Sequence, residues 1–155
     1  MKNKFLVILL AVVMCFALTG CGNNETEGKG LDANDKSFPT AGFIPSGMEY
    51  TGSGKIVRVT KNESSEPQVA NVYYQNAKIE EVISYVDSLK SKGLTNANSY
   101  AEEKTGFDEY GSYSWVGVNA DDTFSISITI TEEENEVLDY NYNLSINMAN
   151  ENPYK

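Results

Sequence analysis

The side chains available for chemistry in this chain are mainly carboxylates and hydroxyls, because none of its 155 residues is a histidine. Without histidine, neither a Ser-His-Asp triad nor a histidine-ligated metal site can form. The sequence also lacks the G-x-S-x-G and S-x-x-K motifs of nucleophilic serines and any glycine-rich phosphate loop. The remaining route to acid–base catalysis is a pair of carboxylates, as in glycosidases.

The 22 acidic residues do not indicate such a pair, because with so many of them two lie close by chance. Apart from Asp87 and Asp139, which we place on solvent-facing positions, none lies in an apolar stretch that would raise its pKa. The densest run, Thr131 to Glu136, has no D-x-D-x-D-G calcium pattern, so we interpret it as a solvated hairpin tip. We therefore predict that the protein is not an enzyme and has no catalytic residue, metal or cofactor.

The charge of the chain limits its partners. Its 12 basic and 22 acidic side chains give a formal net charge of −10. A charge of this sign argues against nucleic acid as a partner, and against adhesion to an anionic bilayer through basic residues. Any association with a membrane must therefore have another source.

Cys21 has the most definite chemical assignment. It follows a basic head, Met1–Lys4, and fourteen uninterrupted apolar residues, Phe5–Leu18. That run is shorter than the ~20 residues of a membrane span and is typical of the apolar core of a signal peptide. It ends in the tetrapeptide LTGC, which resembles the lipobox of bacterial prelipoproteins. The resemblance implies that the Cys21 thiol receives a diacylglycerol and that cleavage removes residues 1–20, leaving a protein anchored by lipid to the extracytoplasmic face of the cell membrane.

The rest of the chain divides into a tether and one domain. Residues 21–36 include glycine, asparagine and charged residues but no aromatic one, a composition that cannot offset the entropy cost of ordering, so we expect a flexible tether. From residue 37 the composition changes, and residues 37–155 suffice for a single domain. Its first part, Phe38–Gly47, carries two prolines and two glycines and should form an irregular lead-in held by apolar anchors.

One helix is predicted, from Ala77 to Lys92. Asn76 is placed to be its N-cap, and Gly93 is placed to take the left-handed position that follows a helix. Its apolar residues fall on one stripe, which we interpret as a core face: Ile79, Val82, Ile83, Val86 and Leu89.

Five segments have the alternation or the β-branched composition of strands: Lys55–Thr60, Gln68–Tyr74, Tyr113–Val118, Thr123–Thr131 and Val137–Met148. In the last two, apolar residues alternate with polar ones, which is typical of an antiparallel sheet with one buried and one solvated face. Tyr73 and Tyr74 point to opposite faces of one strand, so we expect one of them to be exposed. We predict an α+β domain with an antiparallel sheet in ββαβββ order and the helix packed on its apolar face.

Residues Phe38–Met148 resemble small, uncharacterised lipoproteins of Gram-positive bacteria. The resemblance lies in the FPTAGFIPSG lead-in, the strand pair, the helix that ends in a lysine-rich turn before Gly93, and the terminal strands. It implies a fold and a location. It brings no catalytic residue, because such families are largely domains of unknown function.

The last hairpin is predicted from its acidic loop. Glu133–Asn135 can form a three-residue turn, and this turn places Ile130 opposite Leu138. Tyr140 and Tyr142 alternate onto the same face as Leu138, so we expect both of them in the core.

The preceding hairpin is expected to have the same kind of turn, with Asn119 paired to Thr123 and Asp122 in the left-handed position. Val116 and Val118 then lie on the buried face, whereas the two aromatic residues of the strand point outward. Aromatic rings on a surface of serine, threonine and asparagine are typical of a platform that stacks a sugar ring or a peptide. The candidate binding residues are Tyr113, Trp115, Ser127, Thr129, Asn141 and Asn143. In one alternative, the apolar lead-in folds over both rings and buries them. In another, a loop of two or four residues reverses the register and sends both rings into the core.

These features predict a lipid-anchored, non-enzymatic domain that binds or supports a component of the cell envelope. Its expected partners are the membrane, through Cys21, and a glycan, a peptide or an envelope protein. Two alternatives remain open. One is a carboxylate-dependent hydrolase acting on envelope glycans, and the other is an interaction subunit of a membrane-protein complex.

Overall fold

The computed structural model describes residues 37–97, 106–137 and 140–153. The predicted signal peptide, Cys21 and the tether lie outside these residues, as do Leu138 and Asp139. Within the described part, six strands form one antiparallel sheet, and a single helix connects the second strand to the third. None of the described residues belongs to a helix long and apolar enough to span a membrane.

The strands are β1 (Lys55–Asn62), β2 (Val69–Gln75), β3 (Thr95–Asn96), β4 (Ser112–Val118), β5 (Ser125–Val137) and β6 (Tyr140–Ala149), and the helix, α1, is Ile79–Ser91. Their order across the sheet is β1-β2-β6-β5-β4-β3. The predicted combination of an antiparallel sheet with a helix is confirmed. The chain order differs from ββαβββ by the two-residue strand β3, which the sequence pattern did not indicate.

The isoleucines of β5 lie opposite the apolar residues of β6: Ile126 pairs with Met148, Ile128 with Ile146, and Ile130 with Leu144. The predicted pairing of Ile130 with Leu138 is therefore wrong. That register would have left Ile146 and Met148 beyond the start of β5, opposite a loop. The observed register buries all six side chains, which are at most 1% exposed, and so removes more apolar surface from water.

The acidic segment Thr131–Glu136 is part of β5 and not the hairpin tip that the sequence predicted. The pairing of β5 with β6 continues through this segment, as far as Val137 opposite Tyr140. Pairing is interrupted between Ile130 and Asn135, where four residues of β5 lie opposite Asn143 alone. We call residues 131–137 and 140–142, which include this bulge, the acidic arm. Bulges of this kind bend a strand and interrupt its alternation.

The core is a single buried apolar cluster to which both α1 and one face of the sheet contribute side chains. The helix contributes Val82, Tyr85, Val86 and Leu89. The lead-in contributes the partly buried Phe38, Phe43 and Ile44, which pack against this cluster. The lead-in is thus held by apolar anchors, as its composition predicted.

The helix ends as predicted and begins two residues later than predicted. Gly93 has a φ of +94°, its N–H donates to the Lys90 carbonyl (2.9 Å), and the Leu94 N–H donates to the Leu89 carbonyl (3.2 Å), which together form a Schellman motif. At the other end the N-cap is Lys78, without a side-chain cap. Asn76 is left-handed, with a φ of +60°, whereas an N-cap needs an extended backbone.

Candidate functional site

Tyr113 and Trp115 do not point outward as the sequence predicted. Tyr113 lies opposite Ile130 and Trp115 opposite Ile128, so both share the core face of the sheet. They are 4% and 5% exposed and belong to the core cluster. The predicted register of this hairpin is wrong. The alternative in which the lead-in covers outward-pointing rings is wrong as well, because the rings are on the inner face.

The turn of this hairpin contains one residue more than predicted. Asp122 is left-handed as expected, with a φ of +60°. However, the Asn119 N–H donates to the Phe124 carbonyl (3.1 Å), and the Asn119 Oδ1 accepts from the Phe124 N–H (2.9 Å). Thr123 remains inside the loop, where its hydroxyl donates to the Asp121 carboxylate (2.7 Å). A four-residue loop in place of a three-residue one reverses the face of every residue in β4.

The observed register is favoured by apolar area. It buries a tyrosine and a tryptophan, each of which contributes about 150–250 Å², where the predicted register would have buried two valines. Gly117 makes room for this arrangement, since a Cβ at this position would lie 2.1 Å from the Trp115 Cη2. The six-membered ring of the indole therefore occupies the space beside Gly117 on the core face of β4.

The sequence placed Asn141 and Asn143 near Ser127 and Thr129. In the structure both asparagines have different neighbours. The Asn143 side-chain amide is bonded twice to the backbone of Ala77: its Oδ1 accepts from the N–H (3.0 Å) and its Nδ2 donates to the carbonyl (2.8 Å). It thus ties β6 to the segment before α1. Asn141 is exposed and lies opposite Glu136 in the acidic arm. Neither residue lies beside Ser127 and Thr129.

Ser127 and Thr129 lie on the predicted solvated face of the sheet, which we call the polar face. It comprises two rows across five strands: Thr60, Asn71, Asn147, Ser127 and Val116, and next to them Arg58, Tyr73, Ser145, Thr129 and Ser114. Ser114 is exposed and the other nine side chains are partly exposed. Hydrogen bonds between neighbouring strands order this surface, from Asn71 Nδ2 to Thr60 Oγ1 (2.9 Å) and between the hydroxyls of Ser114 and Thr129 (3.1 Å).

Two tyrosine rings meet at one end of the polar face. Tyr73 belongs to the second row, and Tyr142 comes from the adjoining acidic arm. Their ring centroids are 5.0 Å apart, with the planes at 71°, a favourable edge-to-face geometry. The expectation that Tyr142 lies in the core is wrong. The bulge of the acidic arm interrupts the alternation beyond Leu144, so the Tyr142 ring meets Tyr73. Tyr73 and Tyr74 point to opposite faces as predicted, but Tyr73 is only partly exposed, and Tyr74 is 3% exposed.

A second group of polar side chains lies on the helix side of the sheet. The rings of Tyr50, Tyr74 and Tyr85 meet edge to face, and burial raises the pKa of each phenol, so all three remain neutral. Hydrogen bonds from Ser53 lower the pKa of Glu81, whose carboxylate accepts from the Ser53 N–H. The Tyr85 hydroxyl donates to the Met48 carbonyl. These contacts connect residues 48–53, between the lead-in and β1, to α1.

The described residues contain no group of three or more aspartate, glutamate, cysteine or histidine side chains placed to hold a metal ion. Comparison of the chain with protein-family models, with characterised proteins and with solved structures finds no significant match. A surface of hydroxyls and amides with two tyrosine rings can form many directional hydrogen bonds and can stack against a flat ligand.

Proposed function

We propose that this protein is a lipid-anchored, extracytoplasmic domain, not an enzyme, which binds a glycan of the cell envelope on the polar face of its sheet. The observation that carries the proposal is the polar face, with the Tyr73–Tyr142 ring pair among serine, threonine and asparagine. In the same proposal, α1 covers the opposite, apolar face and keeps the sheet rigid beneath the ligand.

A glycan fits this face better than a peptide does. Peptides that bind sheets commonly add to an edge strand through backbone hydrogen bonds. The polar face is the middle of a sheet, where the backbone groups of β2, β5 and β6 are already engaged in their own ladders. A ligand there meets only side chains. The hydroxyls of a sugar complement serine, threonine and asparagine, and its C–H face complements a tyrosine ring.

The anchor is supported by the sequence, where the basic head, the apolar run and the LTGC tetrapeptide occur in the order that a lipoprotein signal requires. The two acyl chains of a diacylglycerol on Cys21 would hold the protein stably at the membrane, because a single chain gives only marginal binding. The fifteen residues of the flexible tether that follow Cys21 have a root-mean-square reach of ~20 Å, which would lift the domain clear of the lipid headgroups.

The anchor is tested by replacing Cys21 with alanine in cells that are fed labelled palmitate. We expect the wild-type protein to carry the label and to sediment with membranes. The variant should lose the label completely and should accumulate as unprocessed precursor or in the medium. A label that persists on Cys21→Ala would contradict the lipoprotein proposal.

The binding face is tested by replacing Tyr73 with alanine. The loss of ring stacking should weaken the binding of detergent-solubilised protein to isolated cell-wall glycan about fivefold to tenfold, since tenfold corresponds to about 1.4 kcal/mol. Cosedimentation measures this binding. The matched control is Tyr110→Ala, because Tyr110 is 70% exposed and lies outside the polar face. Equal binding by Tyr73→Ala and wild type, or an equal loss in Tyr110→Ala, would contradict the proposal.

A further inference from the structure

The polar face is longer across the strands than along them. Each of its two rows crosses five strands, from β1 to β4. Neighbouring strands of a sheet lie ~4.8 Å apart, so a row is ~19 Å long. The two rows are two residues apart along each strand, which corresponds to only ~7 Å. The shape of this surface is therefore a narrow strip and not a compact patch.

The acidic arm limits this strip along β2 and β6. The ring of Tyr142 contacts Tyr73 of the second row, with the ring centroids 5.0 Å apart. The side chain of Gln75, two residues beyond Tyr73 in β2, donates from its Nε2 to Glu134 Oε2 of the arm (3.2 Å). A ligand that follows the strands past Tyr73 thus meets the arm.

The other end of the strip is limited along β4 and β5. Val118 and Ser125, the pair that follows the first row, are 7% and 5% exposed. The C-terminal segment reaches the neighbouring turn, where Asn152 Nδ2 donates to Asp122 Oδ1 (2.7 Å). Both obstacles lie along the strand direction, so the path for a long ligand runs across the strands.

Each of the five strands contributes at least one hydroxyl or amide side chain to this path, and all of these side chains are partly or fully exposed. They are Thr60 of β1, Asn71 of β2, Ser145 and Asn147 of β6, Ser127 and Thr129 of β5, and Ser114 of β4. Hydroxyl and amide groups both donate and accept hydrogen bonds. A ligand that lies across the sheet therefore meets a new polar group at each step of ~4.8 Å.

We propose that the glycan bound by the polar face is a linear, extended chain of the β-1,4-linked type, which lies across the strands with one sugar over each. This inference rests on the function proposed above. In such a chain each sugar adds about as much length as the spacing of two strands (~4.8 Å), so the ligand and the sheet have matching repeats. The strip accommodates about five sugars. An α-1,4-linked chain coils and loses this match, and a branched glycan is wider than the strip.

The test measures how affinity depends on chain length and on linkage. Full-length, detergent-solubilised protein is titrated calorimetrically with cello-oligosaccharides of increasing length, and with malto-oligosaccharides, which contain the same glucose units in α-1,4 linkage. We expect the affinity for the β-linked series to rise about tenfold from the disaccharide to the pentasaccharide and to level off beyond about five sugars. The β-linked pentasaccharide should bind about fivefold more tightly than the α-linked one.

A variant of β5 tests whether the chain crosses the strands. Thr129 lies two strands away from Tyr73 in the same row, beyond the reach of a disaccharide that stacks on Tyr73. Thr129→Val, which removes one hydroxyl, should weaken pentasaccharide binding about threefold and leave disaccharide binding unchanged. The matched control is Thr51→Val, because Thr51 is exposed and lies outside the sheet. Thermal melting confirms that each variant is folded.

Three results would overturn the inference: equal affinity for all chain lengths, equal affinity for the two linkages, or pentasaccharide binding that is the same in Thr129→Val and wild type. With any of them, intact cosedimentation with isolated cell-wall glycan would leave the proposed function standing. Binding of neither the oligosaccharides nor the cell-wall glycan would overturn the extended chain and the glycan function together.

Discussion

Replacing Val86 with aspartate is expected to abolish most of the stability of this domain. Val86 is 1% exposed in the middle of α1 and belongs to the core cluster. An unpaired carboxylate at this position costs several kcal/mol, against a total stability of about 5–15 kcal/mol for a domain. Chemical denaturation followed by circular dichroism measures the loss.

The matched control is Ser84→Asp, two residues earlier on the exposed side of α1. It adds the same charge to the same helix and should change the free energy of unfolding by less than about 1 kcal/mol. A cooperative transition in Val86→Asp within a few degrees of the wild type would show that α1 is not packed on the sheet.

The second large effect is expected at Gly117. A Cβ in Gly117→Ala would lie 2.1 Å from the Trp115 Cη2 and 2.6 Å from its Cζ3, so the indole ring must leave its place on the core face. Overpacking of this kind costs about 1–3 kcal/mol or more. Because Trp115 is the only tryptophan in the chain, its fluorescence should shift to longer wavelength as the ring becomes more exposed.

Val116→Ala serves as the control for Gly117→Ala, because Val116 lies on the polar face of the same strand. It should leave the tryptophan emission unchanged. Replacing Trp115 with leucine in the Gly117→Ala background should recover part of the lost stability, since the smaller side chain makes room for the new methyl group. Unchanged emission in Gly117→Ala itself would contradict the position of the Trp115 ring.

The apolar face of β5 and the C-terminal end of α1 were predictable, because local patterns determine them. The alternation of Ile126, Ile128 and Ile130 identifies one apolar face whatever the partner strand is. Gly93 follows a helical stripe and can adopt a positive φ without strain, so the Schellman motif is readable from a few residues. The opposite orientations of Tyr73 and Tyr74 follow from the period of a strand alone.

Strand register was not predictable from the same patterns, because alternation fixes faces but not pairing. Both predicted hairpins satisfied the local turn rules. In the structure, packing between residues that are distant in the sequence gives each hairpin a different register. The buried apolar area would have predicted the register better. A Trp115 side chain that points outward leaves more apolar surface exposed than one that points into the core. The Gly117 beside it was a further signal, because a ring lying over the strand needs a residue without a side chain.

The differences between the predicted binding residues and the polar face arise from contacts between residues that are distant in the sequence. Asn143 is bonded to Ala77, 66 residues away, and no local pattern indicates that contact. Tyr142 reaches Tyr73 only because the acidic arm contains a bulge, which neither alternation nor turn chemistry predicts. Ser127 and Thr129 were found because they belong to the regular part of β5.

The most direct test of the proposed function is a map of the residues that a glycan touches. Isotope-labelled protein in detergent micelles is titrated with soluble fragments of envelope glycan while its amide and tyrosine side-chain resonances are followed by NMR. The account predicts shifts that saturate together at Tyr73, Thr129, Ser145 and their neighbours on the polar face, with those of α1 unchanged. Shifts confined to the helix or to the acidic arm, or the absence of any saturable shift, would contradict it.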